Sequence, residues 1–222
     1  MEKINGNHIH DDEPPEVIYV YDALCGWCYG FSPVIMQLRK EFSDKVDFLV
    51  LSGGMVRGKD VVPVSHMADF LKDAHKVVER TCGVEFGEKF ISDILQKGEA
   101  MLNSVPPSKA LAAFRLEMPE KDIDFASRIQ KAIYYDGIHS DDTHAYGRLA
   151  AEFDLNQDEF IKSMNSDAIA EIVENEFKMV ESMGVKGFPT LLLKKGKQID
   201  VLVRGYKDYD TVARLLQNAL SQ

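Results

Sequence analysis

The sequence predicts an α/β fold: a central mixed sheet with flanking helices, interrupted by a large all-helical insertion. Three observations carry that expectation. Strand-like apolar runs occur only near the two ends of the chain, the long middle reads as one helix after another, and no flexible linker separates the two kinds of pattern. A chain of 222 residues can bury a sizeable core, and 45% hydrophobic with 28% charged residues is an ordinary globular composition.

Residues 1–14 form a polar tail containing His8 and His10, for which no function is expected. Glu16 to Tyr21 (EVIYVY) is a short β-branched and aromatic run that suits a buried strand. After it, Phe31, Ile35, Leu38 and Phe42 recur at helical spacing, so Gly26 to Phe42 reads as an amphipathic helix that Pro33 should kink or truncate. Val46 to Leu51 is a second strand, and strand, helix and strand in sequence imply a right-handed parallel unit. Ser52-Gly53-Gly54 ends it.

From about Arg57 to Met183 the pattern offers no strand. Helices are expected over His66 to Arg80, Phe86 to Leu102, Ser108 to Met118, Ile123 to Tyr135, His144 to Phe153, Asp158 to Met164 and Asp167 to Met183. Asn165-Ser166-Asp167 supplies capping chemistry for the last of them, and Gly184 is placed to stop it. Thr190 to Leu193 and Ile199 to Val203 then read as a hairpin turning around Gly196, followed by a terminal helix from Asp208 to Leu220. The expected division is one domain of residues 15–56 and 185–222, with residues 57–184 inserted into it as a helical domain.

A net charge of −10 repels phosphate backbones and anionic lipid surfaces, which argues against nucleic acid or membrane as a partner. The first fifteen residues lack the apolar run of a secretory signal and no stretch is apolar enough to span a bilayer, so the expectation is a cytoplasmic protein. Three cysteines make no disulfide scaffold.

Two of them carry chemistry. Cys25 and Cys28 fall where a strand ends and a helix begins, so the first sulfur meets the unpaired N–H groups and positive dipole end of the helix, which favour a thiolate. Cys25 is the expected nucleophile, and Cys28, one turn further in, the less exposed resolving thiol. A zinc site is the competing reading. It needs two more ligands, and Cys82 with His66 or His75 offers no second closely spaced pair.

A second element is Gly187-Phe188-Pro189-Thr190, just before a strand. The plain reading of Pro189 is a strand-entry proline whose missing N–H is not needed. The sharper one is a cis Phe188-Pro189 bond beside the cysteines, with the Phe188 backbone free to hold an extended substrate. Asp22 is balanced between a proton relay or tuning charge and a strand-end polar cap. Trp27 is either a contact for partners or packed against the helical insertion, the second being favoured. His139 and His144 around Asp141-Asp142 read as a solvated loop and helix start, and Cys82 as an inert, partly buried thiol.

Taken together, YVYDALCGWCYGFSP, the helical insertion and VKGFPTLLL resemble the DsbA-like thioredoxin superfamily, especially its cytoplasmic FrnE-type members, from about Glu16 onward. The resemblance implies a thioredoxin fold in which Pro189 is cis and next to Cys25. By the same token Asp22 matches an aspartate three residues before the first cysteine, while Trp27, Gly187, Phe188 and Thr190 would border the substrate. The activity implied is that of a thiol-disulfide oxidoreductase or protein disulfide isomerase with no cofactor. It would act on protein or small-thiol substrates, with glutathione or a thioredoxin system as electron partner. Between the cysteines stands Gly-Trp rather than the proline and histidine of periplasmic oxidases, which leaves the direction of reaction open. Two alternatives remain: a glutathione-dependent isomerase or transferase of the 2-hydroxychromene-2-carboxylate isomerase or kappa-class type, and a non-catalytic redox-sensing adaptor. The former carry serine where Cys25 stands, and retention of both cysteines argues against them.

Overall fold

A computed structural model describes residues 14–221. The expected polar tail, with His8 and His10, lies outside the described residues apart from Pro14. Four strands, β1 (Glu16–Tyr21), β2 (Asp47–Ser52), β5 (Thr190–Lys195) and β6 (Gln198–Arg204), form one sheet in the order β2-β1-β5-β6. β1 runs parallel to β2, with Glu16 opposite Asp47, and antiparallel to β5, whose hairpin partner is β6.

The unbroken apolar run of β1 follows from its central place, because both faces are covered. Alternate side chains serve opposite layers. Val17, Tyr19 and Tyr21 meet Phe31, Ile35 and Leu38 of helix α1 (Gly26–Phe42) and Val212 and Leu216 of α8 (Tyr209–Leu220), while Ile18 and Val20 join Leu51, Leu192 and Val180 of α7 (Asp167–Ser182). Helix α1 runs through Pro33 without ending. Ser166 caps α7, and Gly184 follows it at φ +71°, the left-handed conformation that closes helices.

Between β2 and β5 lie α2 (Ala68–Cys82), α3 (Val105–Glu117), α4 (Asp122–Tyr134), α5 (Thr143–Ala151), α6 (Gln157–Met164) and α7. This segment is not all-helical as expected. β3 (Val62–Pro63) pairs antiparallel with β4 (Met101–Leu102), a ladder too short to leave an alternating pattern in the sequence. The long helix expected over Phe86 to Leu102 shrinks to a π-helical segment, Phe90–Gln96. Two contacts explain this. Gly87 donates its N–H to the Tyr134 carbonyl, in a place where a Cβ would sit 2.0 Å from the Tyr135 oxygen, and Gly98 turns the chain at φ +69° against Ser65.

β2 is an edge strand, yet its outer edge is covered. The Val50 N–H donates to Asp122 Oδ2 at 3.2 Å, the Val50 carbonyl accepts from Arg115, and the Ser52 N–H donates to Glu176, which is itself ion-paired to Arg115. Side chains from α3, α4 and α7 thus satisfy backbone groups that a bare edge would expose.

Candidate active site at the start of the first helix

Cys25 is the N-cap residue of α1, and its sulfur accepts the Cys28 N–H at 3.4 Å. That position follows from the local sequence: β1 ends at Tyr21, Leu24 N–H turns onto Asp22 Oδ1 at 2.9 Å, and Cys25 N–H turns onto the Asp22 carbonyl at 3.1 Å. Both cysteines are free thiols. Their environments differ sharply. Cys25 keeps 7% of its surface exposed and Cys28 keeps none.

The hydrogen bond to the Cys28 side chain holds the Cys25 thiol below the ordinary thiol value, helped by the backbone N–H groups of Cys28 and Trp27 and opposed by burial. Burial raises Cys28 well above that value, and the Cys25 sulfur adds to the effect. The two sulfurs thus differ in both exposure and ease of ionisation, the outer one shifted down and the inner one shifted up.

The second element meets the first. Phe188-Pro189 is cis, and Cys25 Sγ lies 3.5 Å from the Phe188 carbonyl, which accepts from the thiol. The Phe188 backbone is thus not wholly free for a substrate while Cys25 is protonated. Thr190 Oγ1 donates to the Gly187 carbonyl at 2.8 Å and Gly205 N–H to the Pro189 carbonyl at 2.8 Å, which pins the loop on two sides. The half-buried Phe188 ring covers Gly53, where a Cβ would lie 2.0 Å from it.

Asp22 is fully buried, and burial raises its carboxyl above the ordinary value. Its oxygens accept from Leu24 N–H, Met55 N–H at 2.7 Å and Ser104 Oγ at 2.9 Å, while its carbonyl accepts from Gln130 Nε2. The helix cap is the Cys25 sulfur, not Asp22. Toward both thiols Asp22 is a negative charge that raises their values.

Trp27 departs from expectation. It is 38% exposed, and its ring partner is Tyr206, in the loop after β6, at 6.3 Å between centroids rather than a residue of the helical insertion. Cys82, which packs against Gly30 and hydrogen-bonds Tyr206, is pushed by burial up to about 11 and is a poor nucleophile. Asp142 caps α5 next to the exposed His144, as a loop and helix start would require. Among the described residues, no group of three or more His, Cys, Asp or Glu is placed to hold a metal ion.

Sequence reasoning missed Met55, Ser104 and Gln130, which hold Asp22, and Tyr206, which supports Trp27. It also missed an apolar cavity of about 400 Å³ opening beside Cys25. These partners lie far apart in sequence, and none carries a motif of its own.

A four-stranded sheet with a dithiol at the start of the helix after its central strand, and a cis-proline loop against the outer sulfur, defines a thioredoxin-fold protein. The chain belongs to the thioredoxin family, whose model matches residues 19–214. It is similar to the ClpXP adapter protein SpxH of Bacillus subtilis, 19% identical over 94% of this chain and 69% of that one. SpxH of Bacillus cereus is 22% identical over 98% and 75%. Among solved structures, a Nitrosomonas europaea protein assigned as a protein disulfide isomerase superposes with TM-score 0.82 at 24% identity, over 94% of this chain and 98% of that one. The cytosolic disulfide reductase DsbM of Pseudomonas aeruginosa superposes with TM-score 0.78 at 23% identity, over 93% and 98%, and a second structure of it contains GSH. Among the described residues, no helix is long and apolar enough to cross a membrane.

Proposed function

We propose that this protein catalyses thiol-disulfide exchange in the cytoplasm, reducing disulfides with its own Cys25-Cys28 dithiol. The observation that carries this reading is the asymmetry of the pair: a slightly exposed Cys25 sulfur at the α1 N-cap, favoured as thiolate by the Cys28 side chain and then by the N–H groups of the α1 terminus, beside a fully buried Cys28 thiol held protonated. Cys25 attacks one sulfur of the substrate disulfide, forming a mixed disulfide and releasing the other half as a thiol. Cys28 then attacks Cys25 Sγ, gives up its proton to the departing thiolate and leaves the protein oxidised.

Pro189 presents no N–H to the attacking sulfur, so nothing on that side over-stabilises the thiolate. Asp22 acts as the opposing charge that keeps it reactive rather than merely ionised, and Trp27, Gly187, Phe188 and Thr190 border the incoming disulfide. The reductive direction, the cytoplasmic location and glutathione as electron partner are supported by the likeness to DsbM, a cytosolic disulfide reductase crystallised with GSH. A non-catalytic adaptor is the second reading, favoured by the adapter proteins among the relatives.

Turnover of a glutathione-containing disulfide separates the two. Cys25→Ser is expected to abolish it and Cys28→Ser to accumulate the mixed disulfide on Cys25, visible by mass spectrometry. Absence of turnover by the wild-type chain would leave the adaptor reading standing.

A further inference from the structure

The cavity beside Cys25 has a character that exchange chemistry alone does not require. Its walls come from α2, the π-helical segment, β4 and α4, through Leu71, Ala74, Phe90, Ile94, Leu102 and Ile133. In a protein of net charge −10, no aspartate or glutamate lines it. The lysine and histidine side chains that reach it are Lys186, next to the cis-proline loop, His139 and His75, whose Nδ1 is bonded to the Leu71 carbonyl at 2.8 Å.

Helix α2 supports the same reading from outside. It buries a single residue, Val78, and leaves Phe70 65% exposed, although a helix of fifteen residues normally covers core with a whole apolar face. Here that face is turned to the cavity, with Leu71, Ala74 and Val78 lining it. A volume of about 400 Å³ lies in the range of small-molecule pockets and is walled on several sides, unlike the open groove along which an extended peptide lies.

We propose that this chamber is a substrate subsite for a compact apolar group, aryl or branched alkyl, carried on one sulfur of a low-molecular-weight disulfide. The proposal rests on the exchange reading above and names the substrate class for it. With the apolar group R in the chamber, the sulfur bearing R lies at Cys25. The Cys25 thiolate attacks that sulfur of R–S–S–R′, the S–S bond breaks and R′S⁻ leaves. Cys28 then displaces RS⁻ from Cys25 Sγ. The protein loses two electrons and the two thiol protons, and the substrate gains both as RSH and R′SH. In an R′ such as glutathione, the carboxylates meet a rim that holds Lys186 and no acidic side chain.

The test is single-turnover reduction of two mixed disulfides by the fully reduced chain, with glutathione joined to 2-phenylethanethiol in one and to 2-mercaptoethanol in the other. Each rate is divided by that of free dithiothreitol with the same disulfide to cancel intrinsic reactivity. The phenylethyl substrate is expected to react faster by on the order of tenfold to a hundredfold, the worth of burying one aromatic ring. Ala74→Trp and, from the other wall, Ile138→Trp fill the chamber and should each shrink that ratio toward unity. A wild-type ratio near unity, or a large ratio that both variants retain, overturns the chamber while leaving exchange itself intact. Failure of the wild type to react with either disulfide overturns exchange and chamber together.

Discussion

The inserted helices meet the sheet twice, in opposite ways. Along β2 they close an edge with charge: Asp122, Arg115 and Glu176 satisfy the Val50 and Ser52 backbone, and Arg115 and Glu176 pair with each other. Beside Cys25 the same insertion offers apolar side chains with space left between them. A seam that must stay shut is built from bonds with direction, and only one arrangement satisfies them. A place where something must enter is built from surfaces that gain by contact with any well-shaped apolar group. The contrast is between a seam closed by hydrogen bonds and ion pairs and a side of Cys25 left open and apolar.

Arg115→Leu should break the seam most severely. It leaves Glu176 buried without its cation and the Val50 carbonyl without its donor, at a cost of roughly 3–5 kcal/mol by urea denaturation. A loss no larger than that of a surface substitution would mean the edge is held by packing instead.

Asp122 sharpens the same side through pH. Burial pushes its carboxyl from the ordinary 3.8 up to about 6, so the folded state favours the protonated form. Its contribution is therefore complete below about 3.8 and is lost as pH rises through about 6. Asp122→Asn resembles the protonated group at every pH. The stability of the variant relative to wild type should climb across that interval, by about 3 kcal/mol at most. A difference independent of pH would show that Asp122 does not titrate there.

On the chamber side, Gly30 lets α1 approach α2, since a Cβ at that position would lie 2.5 Å from Cys82 Sγ. Gly30→Ala should push α2 outward and cost about 1–3 kcal/mol in denaturant midpoint measurements. The smallest effect belongs to the opposite edge of the sheet: Ile199→Thr on β6, a 43% exposed position, should stay within about 0.5 kcal/mol of wild type.

Local patterning made β1, α1 and the closing hairpin legible, because EVIYVY and the Phe31-Ile35-Leu38-Phe42 spacing each report one kind of burial. The dithiol was legible for the same reason, since its chemistry depends on where a strand hands over to a helix. Phe86 to Leu102 misled, because its apolar residues suit a helix while Gly87 and Gly98 are committed to distant contacts with Tyr135 and Ser65. What sequence reading lacked throughout was pairing over long separations. Nothing near Asp22 announces Ser104, and nothing near Trp27 announces Tyr206.

The holding of Asp22 has a consequence for anyone wishing to trim this protein to its sheet. Two of the groups that steady the aspartate, Ser104 and Gln130, belong to the stretch that would be cut away, and the Met55 N–H sits at the splice. An excised version would keep a carboxyl three residues from Cys25 with fewer donors to satisfy it, and that group would draw water or a proton into the loop. The long middle segment is thus tied to the loop before Cys25 by hydrogen bonds, and shortening the chain would disturb the surroundings of Cys25 before it changed the shape of the sheet.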